Sequence, residues 1–410
     1  MSSSRDLMCW CGNRVLLPFS PDYCICTQCQ TLVCLQPVDD NVSSGLDDQS
    51  LYGKSYWFEH QEEDLKFGNI LSRARTDIPE RILYWLRTLQ KYKIPPGQTL
   101  ELGCSHGGFV YTLQMTGFNS TGLELSPWVV NFAQQTFQVP ILLGDIEQQS
   151  IAPATLDAII MMDVLEHLPD PVKTISYAVN LLKADGILLI QTPRYTGEKS
   201  YEELKSTNDP FLMQFKAPEH IYLFSSVSVQ QLLETCGLPN IAFEPAFFNQ
   251  YDMFVVASPS PLSVHTQEEI EQSLLASPGG RLGLALLDKD SECNILDERL
   301  RESEADRAAR LNQIQQYSQW LEEFKTERAS QIDQIRQYKI WLEESEAERA
   351  ARWDQIQQYK IWLEESEADR AARFEVIKNQ EQVISMLKTD LSKLRSSFIF
   401  KLLKRFGLWK

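Results

Sequence analysis

Residues 97–257 alternate short apolar runs with longer amphipathic stretches, and this alternation predicts β-strands separated by α-helices. The runs of strand type cover 100–102, 120–124, 156–162 and 187–192, and a further short strand precedes Gly144. One helix is predicted to continue to Gly186, directly before the last of these runs. The pattern is typical of an α/β fold.

The segment 296–396 has a different period. It is rich in Glu, Arg and Gln, and Trp320, Trp341 and Trp362 recur at intervals of 21 residues, or three heptads. The register needs no stutter, and its a positions are Leu300, Arg307, Ile314, Leu321, Arg328, Ile335, Leu342, Arg349, Ile356, Leu363, Arg370, Ile377, Ile384 and Leu391. The arginines at a weaken the apolar seam but help to specify register. We expect a homo-oligomeric coiled coil of open strand number; a single solvated helix is the alternative.

Composition sets the borders of the other segments. Residues 1–38 are cysteine-rich, 50–96 form an aromatic and helical lead-in, and 258–295 form a linker with short helices that begins Pro- and Ser-rich. The aromatic patch 51–58 is either a lid over a ligand or ordinary helix packing. The last segment, 397–410, is apolar and basic, so it either lies in a membrane interface or caps the coiled coil.

Charge and hydropathy restrict partners and location. The formal net charge is -17 at pH 7, which argues against nucleic-acid binding because phosphate contacts need a basic surface. The sequence has no apolar run long enough for a transmembrane helix and begins with no secretory signal. We therefore expect a cytoplasmic protein, with peripheral membrane contact confined to 397–410.

The N-terminal cysteines predict a metal site. Cys9 and Cys11 form one pair, and Cys26 and Cys29 form a second pair after a loop. Four thiolates make a closed structural zinc site that folds a segment too small to have its own core. Cys24 is an alternative ligand, as is Cys34, and free cysteines without metal are the other interpretation. Zinc ribbons also bind nucleic acids, but the acidic balance of the chain disfavours that role.

A glycine turn after the first strand predicts a cofactor site. Gly103 ends the run 100–102, and a helix opening after it would offer unpaired N–H groups to a ligand. Glu124 ends the second strand, where an acid accepts hydrogen bonds from ribose hydroxyls. Asp145 follows the third strand and Asp163 the fourth. A glycine turn alone also occurs in other α/β folds, including dinucleotide-binding oxidoreductases. The run Glu-His-Leu-Pro-Asp-Pro after Leu165 disfavours that class only through a family resemblance.

This ordered set resembles the class I S-adenosylmethionine (SAM)-dependent methyltransferases, particularly the subgroup related to ubiquinone-biosynthesis O-methyltransferases. The resemblance implies a Rossmann-like doubly wound sheet over 97–257 and SAM as cofactor. By the same resemblance the cofactor-binding residues are Glu101, Gly103, Cys104, Ser105 and Gly107 around the methionine part, Glu124 at the ribose, Asp145 at the adenine and Asp163 beside the cofactor. Ser105 and His106 stand where the commonest family loop has glycines. The side chain of His106 therefore either faces solvent or lines the site.

Two histidines are candidates for the catalytic base. SAM supplies an activated methyl group, whereas an oxygen nucleophile also needs a base near neutral pH. His167 follows the fourth strand, and His220 lies between the fifth strand and the next helix, so both are expected at the active-site face. A structural imidazole is the alternative for each. Glu166 is interpreted as structural.

These features predict a SAM-dependent methyltransferase that acts on a small-molecule or glycan acceptor, with O-methylation expected. The cysteine-rich segment resembles the zinc-binding segments of some sugar C-methyltransferases, which weakly favours a sugar acceptor. Self-association is expected through 296–396. The alternative is a catalytically idle methyltransferase fold that serves as a coiled-coil scaffold. The intact glycine turn and Glu124 favour the enzyme, because an idle pocket has no need of them.

Overall fold

A computed structural model describes residues 7–36, 54, 57–58, 68–341 and 346–396, and every structural statement below concerns these residues. They fall into two compact units, divided between Asp290 and Ser291. Most of the aromatic patch 51–58 lies outside the described residues, as does all of the basic tail 397–410. In the part of the chain that is described, no helix combines the length and the apolar character needed to cross a bilayer.

The strands of the first unit form two sheets. Their bounds are β1 Leu16–Pro18, β2 Tyr23–Cys26, β3 Leu32–Cys34, β4 Gln98–Leu102, β5 Asn119–Glu124, β6 Ile141–Leu143, β7 Leu156–Met162, β8 Leu182–Pro193, β9 Tyr222–Leu223, β10 Asn240–Glu244 and β11 Asp252–Ser258. The large sheet has the order β10-β11-β8-β7-β4-β5-β6, and the small sheet has the order β1-β2-β3-β9.

The large sheet is mainly parallel. Strands β8, β7, β4, β5 and β6 run parallel to one another, whereas β11 is antiparallel to both β8 and β10. Residues Ile159, Ile160 and Met161 of the central strand β7 are completely buried. Helices cover both faces of such a sheet, which is why its central strands are continuously apolar instead of alternating. The expected Rossmann-like, doubly wound α/β fold is confirmed.

Most helices belong to the first unit, and one long helix continues from it into the second unit. Their bounds are α1 Ile70–Asp77, α2 Leu83–Tyr92, α3 Gly108–Met115, α4 Pro127–Phe137, α5 Pro171–Leu181, α6 Tyr201–Ser206, α7 Ser226–Thr235, α8 Gln267–Leu275, α9 Pro278–Trp341 and α10 Glu346–Ser396. Helices α4 and α5 both begin at proline, after Ser126 and Asp170 as N-caps. Proline suits the first position of a helix, because an N–H group at this position has no acceptor within the helix and proline has no N–H group.

Two expected borders differ from the structure. The helix predicted to continue to Gly186 ends at Leu181, because Leu182 has extended backbone and pairs with Leu156 at the start of β8. The region 258–295 contains α8 and also the beginning of α9 at Pro278, so the long helix begins inside the expected linker. The first border is set by a strand pairing distant in sequence. The second follows a local signal, since the hydroxyl of Ser277, directly before Pro278, accepts a hydrogen bond of 2.9 Å from the N–H of Gly280.

In the second unit, α9 and α10 pack against each other in antiparallel orientation. The rings of Trp320 and Trp362 lie 4.4 Å apart between centroids, and Arg307 forms an ion pair of 3.7 Å with Glu381. The expected a positions Ile314, Leu321, Ile377 and Ile384 are all buried. The register therefore marks the packed face, and this face packs against another helix of the same chain. Self-association through 296–396 stays a prediction.

Replacing Leu321 with alanine is expected to destabilise this helix pair by about 3 kcal/mol, the usual cost of emptying a buried leucine site. Leu321 is 3% exposed, whereas Leu311, about three turns earlier on α9, is 38% exposed. Leu311→Ala is therefore the matched control and should cost less than about 1 kcal/mol. Urea unfolding of the full chain, followed by far-UV circular dichroism, measures both variants. Equal losses would contradict the helix packing described here.

Candidate functional site

A cavity of about 980 Å³ opens at the carboxyl ends of the parallel strands. Its lining comes from the residues that follow β4, β5, β6, β7 and β8, including Ser105, Leu125, Gly144, Asp163 and Pro193. Parallel strands end at one edge of the sheet, so polar residues placed after successive strands converge there. This convergence is the reason that distant sequence motifs form one site.

The turn after β4 is held in a conformation that leaves room for a ligand. Gly103 has a φ of +64°, and a Cβ added there would lie 2.7 Å from Cγ2 of Val164. Ser105 also has a positive φ of 47°, and its buried Oγ has no hydrogen-bond partner among the described residues. A buried hydroxyl at the cavity wall without a partner fits a polar ligand such as the methionine part of SAM.

Gly107 has a different role from its neighbours in the turn. It is the N-cap of α3 with a φ of +78°, and a Cβ there would lie 3.1 Å from Val139 and 3.2 Å from Ala133. It is not among the described residues that line the cavity. The glycine is therefore required by backbone conformation and by packing, and it supports the turn from behind.

Glu124 joins the end of β5 to the glycine turn. Its carboxylate accepts hydrogen bonds from the backbone N–H of Ser105 (3.1 Å), Leu125 (2.9 Å) and Ser126 (3.1 Å). Burial raises the pKa of this carboxyl, and the three donors oppose the rise. A carboxylate offers about four acceptor positions, so about one position remains for a ligand hydroxyl.

The other expected cofactor residues also lie at the cavity. Glu101 and Cys104 are buried in its wall, and Asp145 lies exposed at its rim, where its carboxylate accepts a hydrogen bond of 2.9 Å from Gln148. Asp163 has a φ of +57° and accepts a hydrogen bond of 3.0 Å from the amide of Gln191. These residues are the right chemical types, in one cavity, for a ligand with an amino acid, a ribose and an adenine.

Comparison with known families agrees with this geometry. The profile of a family described as "Methyltransferase domain" matches residues 73–242. Residues 73–242 are a class I methyltransferase domain. SAM is the cofactor of this family, and the glycine turn, the buried Ser105 hydroxyl and Glu124 fit it.

Relatives of known name align with about a third of the chain. A ubiquinone biosynthesis O-methyltransferase of Xanthomonas campestris pv. campestris (strain B100) is 28% identical over 146 residues, which are 32% of this chain and 61% of that protein. The protein of the same name from Xanthomonas axonopodis pv. citri (strain 306) is 29% identical over the same shares. The chain thus spans less than two thirds of the length of these relatives.

Solved structures are similar to the methyltransferase domain at low identity. The PH0226 protein from Pyrococcus horikoshii OT3 is 20% identical with a TM-score of 0.38, and the match covers 50% of this chain and 99% of that chain. A Haemonchus contortus phosphoethanolamine N-methyltransferase 2, solved with phosphomonomethylethanolamine and S-adenosylhomocysteine, is 16% identical with a TM-score of 0.41. That match covers 55% of this chain and 61% of that chain.

The methyltransferase domain brings both candidate base residues together at the cavity. The rings of His167 and His220 lie edge to face with centroids 4.9 Å apart. Nδ1 of His167 donates to the carbonyl of Glu219 at 2.7 Å, and Nδ1 of His220 donates to the carbonyl of Gln214 at 2.8 Å. Burial lowers the pKa of both imidazoles, so both are neutral near pH 7, with the proton on Nδ1 and a lone pair on Nε2.

Buried carboxyl groups stand beside these histidines. Glu166 accepts a hydrogen bond of 2.9 Å from the hydroxyl of Thr192, and burial, with the nearby charge of Asp163, raises its pKa to about 8. The pKa of Asp252 is raised to about 9 by burial and then by the charges of Asp163 and Glu166. Glu166 was expected to be structural, but it lines the cavity. Asp252 was not predicted; a lone acid at the start of an apolar strand was its only signal.

The lead-in helix α1 adds a second polar cluster that sequence reasoning missed. The carboxylate of Asp77, at the end of this helix, lies 3.1 Å from Nε2 of His106 and accepts a hydrogen bond of 3.2 Å from Arg73. It also forms an ion pair of 3.7 Å with Arg81. His106 is buried and lines the cavity, which decides between the two orientations expected for it. Trp57, from the described part of the aromatic patch, also lines the cavity.

The four predicted cysteine ligands form one cluster. Their sulfur atoms all lie within 4.8 Å of one another, with 3.5 Å between Cys9 and Cys29 and 3.6 Å between Cys11 and Cys26. Tetrahedral zinc with Zn–S bonds of about 2.3 Å requires sulfur atoms about 3.8 Å apart, so the cluster fits a structural Zn²⁺.

Neighbouring donors favour the thiolate form of Cys29, whereas the hydrogen bond to Cys29 raises the pKa of Cys9 and burial raises the pKa of Cys11. Hydrogen bonds from Cys9 and from the Thr31 hydroxyl lower the pKa of Cys29 to about 5, and the amide of Asn13 donates to the sulfur of Cys26 at 3.3 Å. Such outer donors orient metal ligands. The alternative ligands Cys24 and Cys34 do not belong to the cluster.

Proposed function

We propose that this protein transfers the methyl group of SAM to an oxygen atom of a small-molecule or glycan acceptor. One observation carries the proposal: a single cavity contains a SAM-type half, with Glu124 and the Ser105 hydroxyl, and a second half with two neutral imidazoles and a buried carboxyl group. The relatives named O-methyltransferases support oxygen as the methylated atom. The cysteine-rich segment supports a sugar acceptor more weakly.

The cofactor half is assigned residue by residue. Glu101, Gly103, Cys104 and Ser105 surround the methionine part, and Gly107 supports their turn. Glu124 holds the ribose, Asp145 binds the adenine amine, and Asp163 lies beside the cofactor. The hydrogen bond from Gln191 to Asp163, together with that from the Trp85 indole to Gln191 at 2.9 Å, fixes the orientation of the Asp163 carboxylate.

The acceptor half prepares the nucleophile. His167, which is partly exposed, and the buried His220 present unprotonated Nε2 atoms beside Glu166. These groups are suited to make an acceptor hydroxyl more nucleophilic, because a hydroxyl at neutral pH attacks poorly until its proton is removed or its pKa is lowered. Alignment of that oxygen with the sulfonium methyl provides the rest of the rate enhancement.

The proposal predicts label transfer from methyl-labelled SAM to phenols, catechols or sugars. The full chain would be incubated with each class of acceptor, and His220→Ala is expected to lower turnover at least 100-fold while SAM binding is kept. His265→Ala is the matched control, since His265 lies beyond the sheet near α8 and outside the cavity lining. A folded protein that binds no SAM would support the scaffold alternative instead.

A further inference from the structure

The helix pair α9–α10 exposes large apolar side chains outside its own packed face. With Leu300 at position a, each repeat of 21 residues has one such side chain at position e: Leu311, Ile332, Trp353 and Phe374. Ile332 is half-buried and the other three are exposed. Position e of a coiled coil often carries Glu or Lys instead. A bulky apolar residue that returns at e in every repeat indicates a surface that binds another molecule.

Contacts between the two helices place these four residues on one side of the pair. Glu304 and Lys388, which both occupy e positions, form an ion pair of 3.9 Å. Trp320 and Trp362, which both occupy g positions, meet with ring centroids 4.4 Å apart. The e positions of α9 and α10 therefore share one flank of the antiparallel pair, and the g positions share the other. We call the first of these the e flank.

The apolar residues of the e flank form two patches. Leu311 of α9 lies level with Phe374 of α10, because the side chains at positions 313 and 373 form a hydrogen bond of 3.2 Å. One repeat of 21 residues along each helix, Ile332 lies level with Trp353 in the same way. The two patches are roughly 30 Å apart, at 1.5 Å per residue.

The symmetry of these patches fits a second copy of the chain. Both patches come from the same repeat and pair an aliphatic with an aromatic side chain. A two-fold axis that crosses the helices midway between the patches therefore sets each patch on the other patch of the second copy. Trp353 then packs against Phe374, and Leu311 packs against Ile332. Such an isologous contact closes a dimer, because the same surface is used by both copies.

The charges between the patches favour this antiparallel arrangement. Lys360 follows Trp353 by seven residues, and both occupy e positions. Glu367 precedes Phe374 by the same seven residues. In the antiparallel dimer Lys360 therefore meets Glu367 of the second copy, and symmetry repeats this pair. Neither side chain forms an ion pair with another described residue of its own chain. A two-fold axis along the helices would instead set Lys360 against Lys325, which is unfavourable.

The size of the e flank is sufficient for a stable dimer. Between positions 304 and 339 the flank is about 50 Å long, and two helices side by side are about 20 Å wide. Each copy thus presents about 1,000 Å², whereas a standard interface buries about 800 Å² per partner. We propose that the e flank binds the e flank of a second copy in antiparallel orientation, so that two helix pairs form a four-helix bundle. This contact does not depend on methyl transfer.

Sedimentation equilibrium of the full chain at several concentrations tests this dimer. The wild type is expected to dimerise, and Phe374→Glu is expected to raise the Kd of the dimer at least 10-fold, because it places a charge in an apolar contact. Ile361→Glu is the matched control. Ile361 is 57% exposed on the same helix, against 56% for Phe374, but it occupies position f, outside the e flank. The control should leave the Kd unchanged, and far-UV circular dichroism shows that each variant keeps its helices.

A charge exchange tests the antiparallel register. Lys360→Glu and Glu367→Lys should each weaken the dimer, and the double variant should restore it, because the pair is then only reversed. A wild-type chain that stays monomeric at about 100 µM would overturn the proposal. Equal dimerisation by Phe374→Glu and the wild type, or a double variant weaker than both single variants, would also overturn it. Monomers that bind phosphatidylcholine–phosphatidylserine vesicles, and lose this binding in Phe374→Glu, would assign the flank to a membrane instead.

Discussion

Glu124→Ala is expected to weaken SAM binding roughly 100-fold, because a hydrogen bond from a ribose hydroxyl to a buried carboxylate contributes up to about 3 kcal/mol. The same carboxylate holds the N–H groups of Ser105, Leu125 and Ser126, so the substitution also loosens the glycine turn. Both effects act in the same direction. Calorimetric titration of the full chain with SAM measures the change in Kd.

The design separates the lost contact from a lost fold. Glu124→Gln keeps the size of the side chain and one acceptor oxygen, and it should weaken binding by an intermediate amount. Glu202→Ala removes an acid that is 80% exposed on α6 and should leave the Kd unchanged. If Glu124→Ala bound SAM as tightly as the wild type, the ribose assignment would be wrong, and with it the main support for the cofactor half.

The position of the proposed cofactor residues at one edge of the sheet could be predicted from the sequence, because the pattern that locates them is local. A strand, a glycine turn and an acid at the end of the next strand occur in a fixed order, and the parallel sheet brings strand ends to one edge. Gly107 shows the limit of this reasoning. It was expected to bind the methionine part of SAM, but the contacts that require a glycine there are with Ala133 of α4 and with Val139, which follows that helix.

The acceptor half was predictable only in part. His167 and His220 were found by their positions after strands, but Asp252 reaches the cavity because β11 inserts antiparallel between β8 and β10. Asp77 reaches it from α1, before the first strand of the large sheet. No local pattern contains either arrangement, because each depends on which elements become neighbours in the fold.

The heptad register of the second unit also shows what a local pattern predicts and what depends on the fold. Burial of Ile314, Leu321, Ile377 and Ile384 follows the a positions, so the apolar face was correctly located. A heptad pattern identifies a face that needs a partner but not which helix supplies it. The antiparallel pairing of α9 with α10 supplies that partner within the chain.

The cysteine cluster connects to the acceptor half through the small sheet. Strand β3 pairs with β9, the N–H of Cys34 donates to the carbonyl of Ile221 at 2.9 Å, and the hydroxyl of Tyr23 donates to the carbonyl of His220 at 2.8 Å. Tyr23 is completely buried. The segment carrying His220 is therefore held in place by the strands that carry the cysteine cluster.

Cys29→Ser is consequently expected to loosen two distant stretches of sequence together, β1–β3 and the strand β9 beside His220. Loss of one ligand from a structural zinc site removes most of its folding free energy, so amide exchange in both stretches should accelerate at least 100-fold. The matched control is Cys24→Ser, which changes a cysteine of the same hairpin outside the cluster. Hydrogen exchange with mass spectrometry on the full chain reads both stretches at once.

Strands β4 and β5 should keep their protection, and SAM should still bind, because the Glu124 contacts are made within the large sheet and the glycine turn. Unchanged exchange at β9 in Cys29→Ser, or equal acceleration in Cys24→Ser, would mean that the metal does not support the His220 segment.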